Sequence, residues 1–103
     1  MNKETFFMLM SLFQAFIILG ASANFIAITH NNCKMPVAYD GYFESDKHKS
    51  YSNISKANYW FLGDIFDGWV FLYSIGDVFL FLGVFGLLYI TIVEIKRKIK
   101  FKP

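Results

Sequence analysis

Residues 5–29, "TFFMLMSLFQAFIILGASANFIAIT", carry no charged side chain. A helix needs about 20 apolar residues to cross a hydrocarbon core roughly 30 Å thick. This run therefore restricts the chain to folds that keep such a segment out of water. A second run, residues 69–93, "WVFLYSIGDVFLFLGVFGLLYITIV", carries one charge, Asp77. Composition points the same way: 55% of the 103 residues are hydrophobic, 20% aromatic and 17% charged, with thirteen Phe. A soluble domain of this size hides only about 60–70% of its unfolded surface, and soluble proteins average roughly 25% charged residues. The surplus apolar surface needs lipid.

The expected fold is an all-α membrane protein: two transmembrane helices in an antiparallel hairpin, joined by a structured external loop that carries a short interfacial or re-entrant helix. The whole chain reads as a single membrane domain. Its parts are a transmembrane helix at 5–29, an external loop at 30–54, the short helix at 55–67, a second transmembrane helix at 69–93 and a basic cytoplasmic tail at 94–103. A signal peptide is the rival reading of the first run, because "ASA" at 21–23 resembles a cleavage site. Against it, the flank sets only Lys3 against Glu4, and "NFIAIT" continues apolar beyond that point. In the loop, Met35-Pro36 and Asp40-Gly41 read as turns. Ser55 is a candidate cap for the short helix, with Tyr59, Trp60 and Phe61 at its centre. Trp69 and Tyr73 near one end of the second span and Tyr89 near the other suit the membrane interface. Lys96, Arg97, Lys98, Lys100 and Lys102 crowd the C-terminal flank. By the positive-inside rule both termini are cytoplasmic and residues 30–68 external.

Asp77 demands a reason. With the helix counted from Trp69, it lies about 12 Å inside, and Asn24 lies at similar depth on the first span. An intramembrane carboxylate costs about 2.5–3.5 kcal/mol on insertion scales and faces protein or a watery cavity. Asp77 is therefore expected to face the first helix, with Asn24 or Ser22 as partner. Gly76, Gly83 and Gly86 line one broad side of the second span and admit close helix approach, with Ala23 and Ala27 as the facing surface. If Asp77 is structural glue, Asp77→Asn should be tolerated, because a neutral hydrogen-bonding group remains; if it carries protons, activity should go while the fold survives.

Three clusters occur in order: "NFIAITHNNCKMPV" at 24–37, "WFLGDIF" at 60–66 and "SIGDVFLFLG" at 74–83. Their order resembles the bacterial membrane-protein family catalogued as domain of unknown function 5317. The resemblance marks Asn24, Asn32, Met35, Pro36, Gly63, Asp64, Ser74, Gly76 and Asp77. It implies architecture and a bacterial or phage source, and no reaction. The segment Asn32-Cys33-Lys34 departs from the small residues usual there.

No catalytic constellation stands out, and the expected protein is not an enzyme and has no cofactor. Asp64, Asp67 and Asp77 do not converge by spacing into the about six oxygens a hard cation wants. Asp64 and Asp67 read instead as a solvated turn at the membrane boundary. His30, Cys33 and His48 read as loop surface. The single cysteine excludes an intrachain disulfide and gives no support for a zinc site. "NIS" at 53–55 fits a glycosylation acceptor, without meaning in a bacterium. A net charge of +2 does not indicate nucleic acid. The expected partners are the bilayer, anionic lipid headgroups at Lys96, Arg97, Lys98 and Lys100, and a second copy or other membrane proteins. The expected role is that of a small integral membrane protein acting through self-association or within a larger complex. The alternatives are a holin-like pore former and a proton- or ion-linked transporter component using Asp77.

Overall fold

The computed structural model describes residues 1–38, 47–51, 53–68 and 72–100. It is mostly helical, 61 Å long and 24 by 19 Å across. Helix α1 spans Lys3–Thr29 and helix α2 spans Ile75–Lys100. At 1.5 Å per residue each is about 40 Å long. The Asn2 side chain caps α1 by accepting from Thr5 N at 2.7 Å. Past Thr29 the chain leaves the helix, and Asn32 and Cys33 take left-handed backbone angles, φ 57° and 62°. Both helices are long and apolar enough to cross a membrane.

The helices touch backbone to backbone where Gly20 faces Gly76. A Cβ on Gly20 would sit 2.9 Å from Leu80 N, and one on Gly76 would sit 2.7 Å from Gly20 O. Below this crossing, Gly83 lies against Phe13 O and Ile17, and Gly86 against the Phe13 ring. The glycine stripe of α2 therefore meets Phe13, Ile17, Gly20 and Asn24, one face of α1. The alanines are secondary. Ala27 is fully buried but Ala23 only half-buried. The closest approach belongs to Gly20, since an alanine still interposes a methyl group.

Between the helices stands a small cap. Strand β1, Met35–Val37, pairs in parallel with β2, His48–Ser50. Its other edge receives Asp64: Asp64 N donates to Pro36 O at 2.8 Å and Ala38 N donates to Asp64 O at 3.0 Å. Met35-Pro36 is thus strand and not turn. Pro36 lacks an N–H, and on that edge Asp64 asks only for its carbonyl. Met35, Pro36, Val37 and Ala57 form the cap's buried centre. The turn expected at Asp40-Gly41 lies outside the described residues, as do Trp69 and Lys102.

Three expected boundaries differ. The short helix at 55–67 is replaced by two single 3₁₀ turns, Ile54–Lys56 and Trp60–Leu62, followed by strand β3, Phe66–Asp67. Asn53, not Ser55, caps the first of these turns. Gly63 ends the second, and a Cβ there would lie 2.8 Å from Pro36 O, so close approach to β1 replaces helix continuation. Helix α2 begins at Ile75 and not at 69, because Leu72–Tyr73 forms strand β4, antiparallel to β3, with the Phe66 and Tyr73 rings stacked. At its far end α2 runs on through Lys100, so Lys96, Arg97, Lys98 and Lys100 belong to its last turns rather than to a separate tail.

Overpacking a close contact costs about 1–3 kcal/mol. Gly20→Val and Gly76→Val should each lower stability by about that amount in mild detergent, read as thermal unfolding. Ala21→Val, on the exposed side of α1, should leave it unchanged.

Candidate functional site

Where α1 meets the start of α2, three side chains close a polar network. Ser74 precedes the first turn of α2 and Asp77 sits within it. Asp77 N donates to Ser74 Oγ at 3.2 Å, and Ser74 N donates to Asp77 Oδ2 at 3.1 Å. This reciprocal pair is a capping box, which satisfies two backbone donors at a helix start. Asn24 of α1 completes the ring: its Nδ2 donates to Asp77 Oδ1 at 3.1 Å, and its Oδ1 accepts from the Ser74 hydroxyl at 2.7 Å. Gly76 leaves the room the carboxamide occupies, since a Cβ there would lie 2.7 Å from Asn24 Cγ.

The depth expected for Asp77 is therefore corrected. It lies in the first turn of α2, at the mouth of the helix pair, and not eight residues along a helix begun at Trp69. Ser22, the alternative partner, is exposed on another face of α1. The energetics close at this position. Two hydrogen bonds to a charged group contribute about 1.5–3 kcal/mol each, and an acid in the first helical turn gains about 0.3–1 kcal/mol from the helix dipole. Together these outweigh the cost of holding a carboxylate between apolar helices at their mouth. Among the described residues no buried side-chain nitrogen or oxygen lacks a partner.

A second polar group sits above the first. Asp64 is only 5% exposed, not part of a solvated turn. Its Oδ2 lies 3.7 Å from Nε2 of His48 on β2, so His48 belongs to this cluster rather than to bare loop surface. Burial pushes the Asp64 carboxyl up to about 7 from 3.8, and the charge of Asp77 adds to the effect. Asp67, in contrast, is exposed. Among the described residues no group of three or more His, Cys, Asp or Glu side chains is placed to hold a metal ion.

A third junction ties the cap to α1. The buried Asn31 donates to Ala27 O at 2.6 Å and to Asn58 O at 2.7 Å, and accepts from Asn58 N at 3.0 Å. Asn32, the neighbour singled out in the sequence, is exposed with a left-handed backbone. His30 caps the end of α1 through Nδ1 against Ile26 O and packs edge-on to Tyr59. Cys33 is exposed.

Over residues 5–89 the sequence matches a family described only as one of unknown function, DUF5317. The chain belongs to the DUF5317 family. No curated protein and no solved structure matches it. The DUF5317 match takes in the whole Asn24–Ser74–Asp77 network, the cap with Asn31, His48 and Asp64, and the Gly20–Gly76 crossing. The basic residues of the last turns of α2 lie beyond it.

The geometry revises the expectation for Asp77→Asn. Both Asp77 oxygens accept, so an amide turns an N–H₂ toward one of two donors. Flipping Asn24 relieves that clash but strands the buried Ser74 hydroxyl instead. Asp77→Asn should therefore cost about 1–3 kcal/mol of stability, the range for an unmet buried polar group, read as a lower thermal midpoint in detergent. Asp64 gives a pH test. Its folded pKa lies above its unfolded one, so the folded state holds a proton that the unfolded state releases between about pH 4 and 7. Its contribution to stability should be full below about pH 4 and fall as the pH rises to about 7. His48, when protonated, and Asp77 are the charges that face it. Asp64→Asn should flatten the profile of thermal midpoint against pH in that window.

Proposed function

We propose that this is a two-span integral membrane protein with a non-catalytic role. Its termini lie on the cytoplasmic side and its cap on the outer face, and it packs against a second copy or other membrane proteins. The observation that supports this reading is the outward face of the helix pair. Phe7, Met8, Ile18, Leu19 and Phe25 on α1, with Phe81, Phe85, Leu88, Tyr89 and Ile92 on α2, are each more than half exposed. Large apolar side chains exposed in that number are not what a soluble monomer presents to water. Lipid and neighbouring helices are the two environments that suit them. The basic last turns of α2, with Lys96, Arg97, Lys98 and Lys100, fit the anionic headgroups of the cytoplasmic leaflet.

The closed network around Asp77 favours a structural lock over a proton path, since its two oxygens and both ends of the Asn24 amide are committed to one another. A holin-like pore asks for a polar stripe along a lumen, and the exposed polar side chains within the apolar run of α1 before Thr29 are three, Ser11, Gln14 and Ser22, none of them charged.

Cys33 offers a direct test of the layout, because it is the single cysteine and is exposed. A membrane-impermeant maleimide should label it in intact cells. In a Cys33→Ser background, Lys100→Cys should label only after permeabilisation. Labelling of both positions from one side would overturn the hairpin topology. In vesicles, the purified protein should leave an entrapped dye in place, and leakage would move the reading to the pore former. Chemical cross-linking in membranes should yield dimers or a discrete larger complex.

A further inference from the structure

The end of the hairpin opposite the cap holds a cleft of about 300 Å³ between the two helices. Lys3, Phe6 and Phe7 line it from the first turns of α1, and Glu94, Arg97 and Lys98 from the last turns of α2. It brings together cations from the two ends of the chain, Lys3 with Arg97 and Lys98, so it is a property of the packed pair and not of either terminus. Arg97 turns both Nε and Nη2 onto Glu94, which neutralises the acid within the cleft. Three cations against one acid leave a net positive charge, carried toward solvent by Lys3 and Lys98. Lys3 stands over the Phe7 ring with Nζ 5.9 Å from its centroid.

We propose that this cleft binds the headgroup of an anionic phospholipid. The proposal rests on the two-span reading, which sets this end of both helices at headgroup depth. The phosphate lies between Lys3 and Lys98, and the glycerol and first methylenes lie on the rings of Phe6 and Phe7. Charge and depth favour this occupant over a protein segment: Lys3 and Lys98 supply charge at the helix ends, and the rings of Phe6 and Phe7, one turn further along α1 than Lys3, supply apolar surface, the order in which a lipid presents phosphate and then hydrocarbon. The volume suits a headgroup, at the low end of what small-ligand clefts enclose. Lys96 makes the internal comparison. It is two residues from Lys98, carries the same charge, and is not among the cleft-lining residues.

The test is native mass spectrometry of the full chain in mild detergent, titrated with phosphatidylglycerol or phosphatidylcholine. Wild type should retain phosphatidylglycerol in preference to phosphatidylcholine. Lys3→Gln and Lys98→Gln should each weaken that preference about five-fold, the net contribution of one lost hydrogen bond to the phosphate. Lys96→Gln should leave it nearly intact. Equal losses for Lys96→Gln and Lys98→Gln would reduce the effect to general attraction by the helix end and overturn the site. So would a wild type without preference, or displacement of the lipid by millimolar inorganic phosphate, which would make free phosphate the ligand. Carbonate extraction of membranes from the expressing cells reads the two-span proposal separately: a wild type released as soluble protein defeats that proposal, while a retained protein without lipid preference defeats only the cleft.

Discussion

The Asn24 carboxamide accepts from one residue of the second helix's cap and donates to another, fifty residues or more along the chain. Everything else in the molecule is arranged around that junction. A polar group between apolar helices is stable only where its hydrogen bonds are made, so the ring of Asn24, Ser74 and Asp77 has one workable register. That register sets Gly20 over Gly76 and lets the two backbones touch. It also fixes where α2 begins, because the Asp77 side chain that meets Asn24 is the one that closes the capping box on Ser74.

The cap is held by a different balance. Its apolar centre is small, with Met35, Val37 and Ala57 as its buried hydrophobic members. Backbone pairing does more there. Strand β1 lies between β2 and Asp64, and Asn31 ties the segment at Asn58 to the end of α1. Asp64 serves both parts: its backbone closes the edge of β1, and its buried carboxyl lies 3.7 Å from His48 Nε2 and feels the charge of Asp77. The cap is therefore tied to the end of α1 through Asn31, with its buried acid within electrostatic reach of Asp77.

The two spans, their antiparallel arrangement and the meeting of Asn24 with Asp77 were legible because each follows from hydropathy and from the expense of a charge in lipid. The start of α2 was also written in the sequence, as Ser74-x-x-Asp77, but a hydropathy window admits Trp69 to Tyr73 just as readily and hides the cap. Nothing in the sequence sets Gly20 apart from Ala23 and Ala27, although only a glycine brings backbones into contact. The strands were beyond reach. His48–Ser50 has no alternating apolar pattern, and its pairing with β1 is nonlocal. The single-residue bridge at Asp64 leaves no periodic trace either. Asn31 gave one usable signal, an amide directly after the last apolar turn of a helix, and it was masked by its neighbour Asn32.

The division of polar groups between the two helices has a consequence for assembly. A chain made from its N-terminus completes α1 long before Ser74 and Asp77 exist. During that interval the first helix holds a neutral amide, the less expensive of the two groups to leave unpaired in an apolar setting. The acid arrives later, on the segment whose first turn meets a waiting partner. Order of synthesis thus gives the acid a partner made before it, and α2 starts at the very turn that latches it to α1.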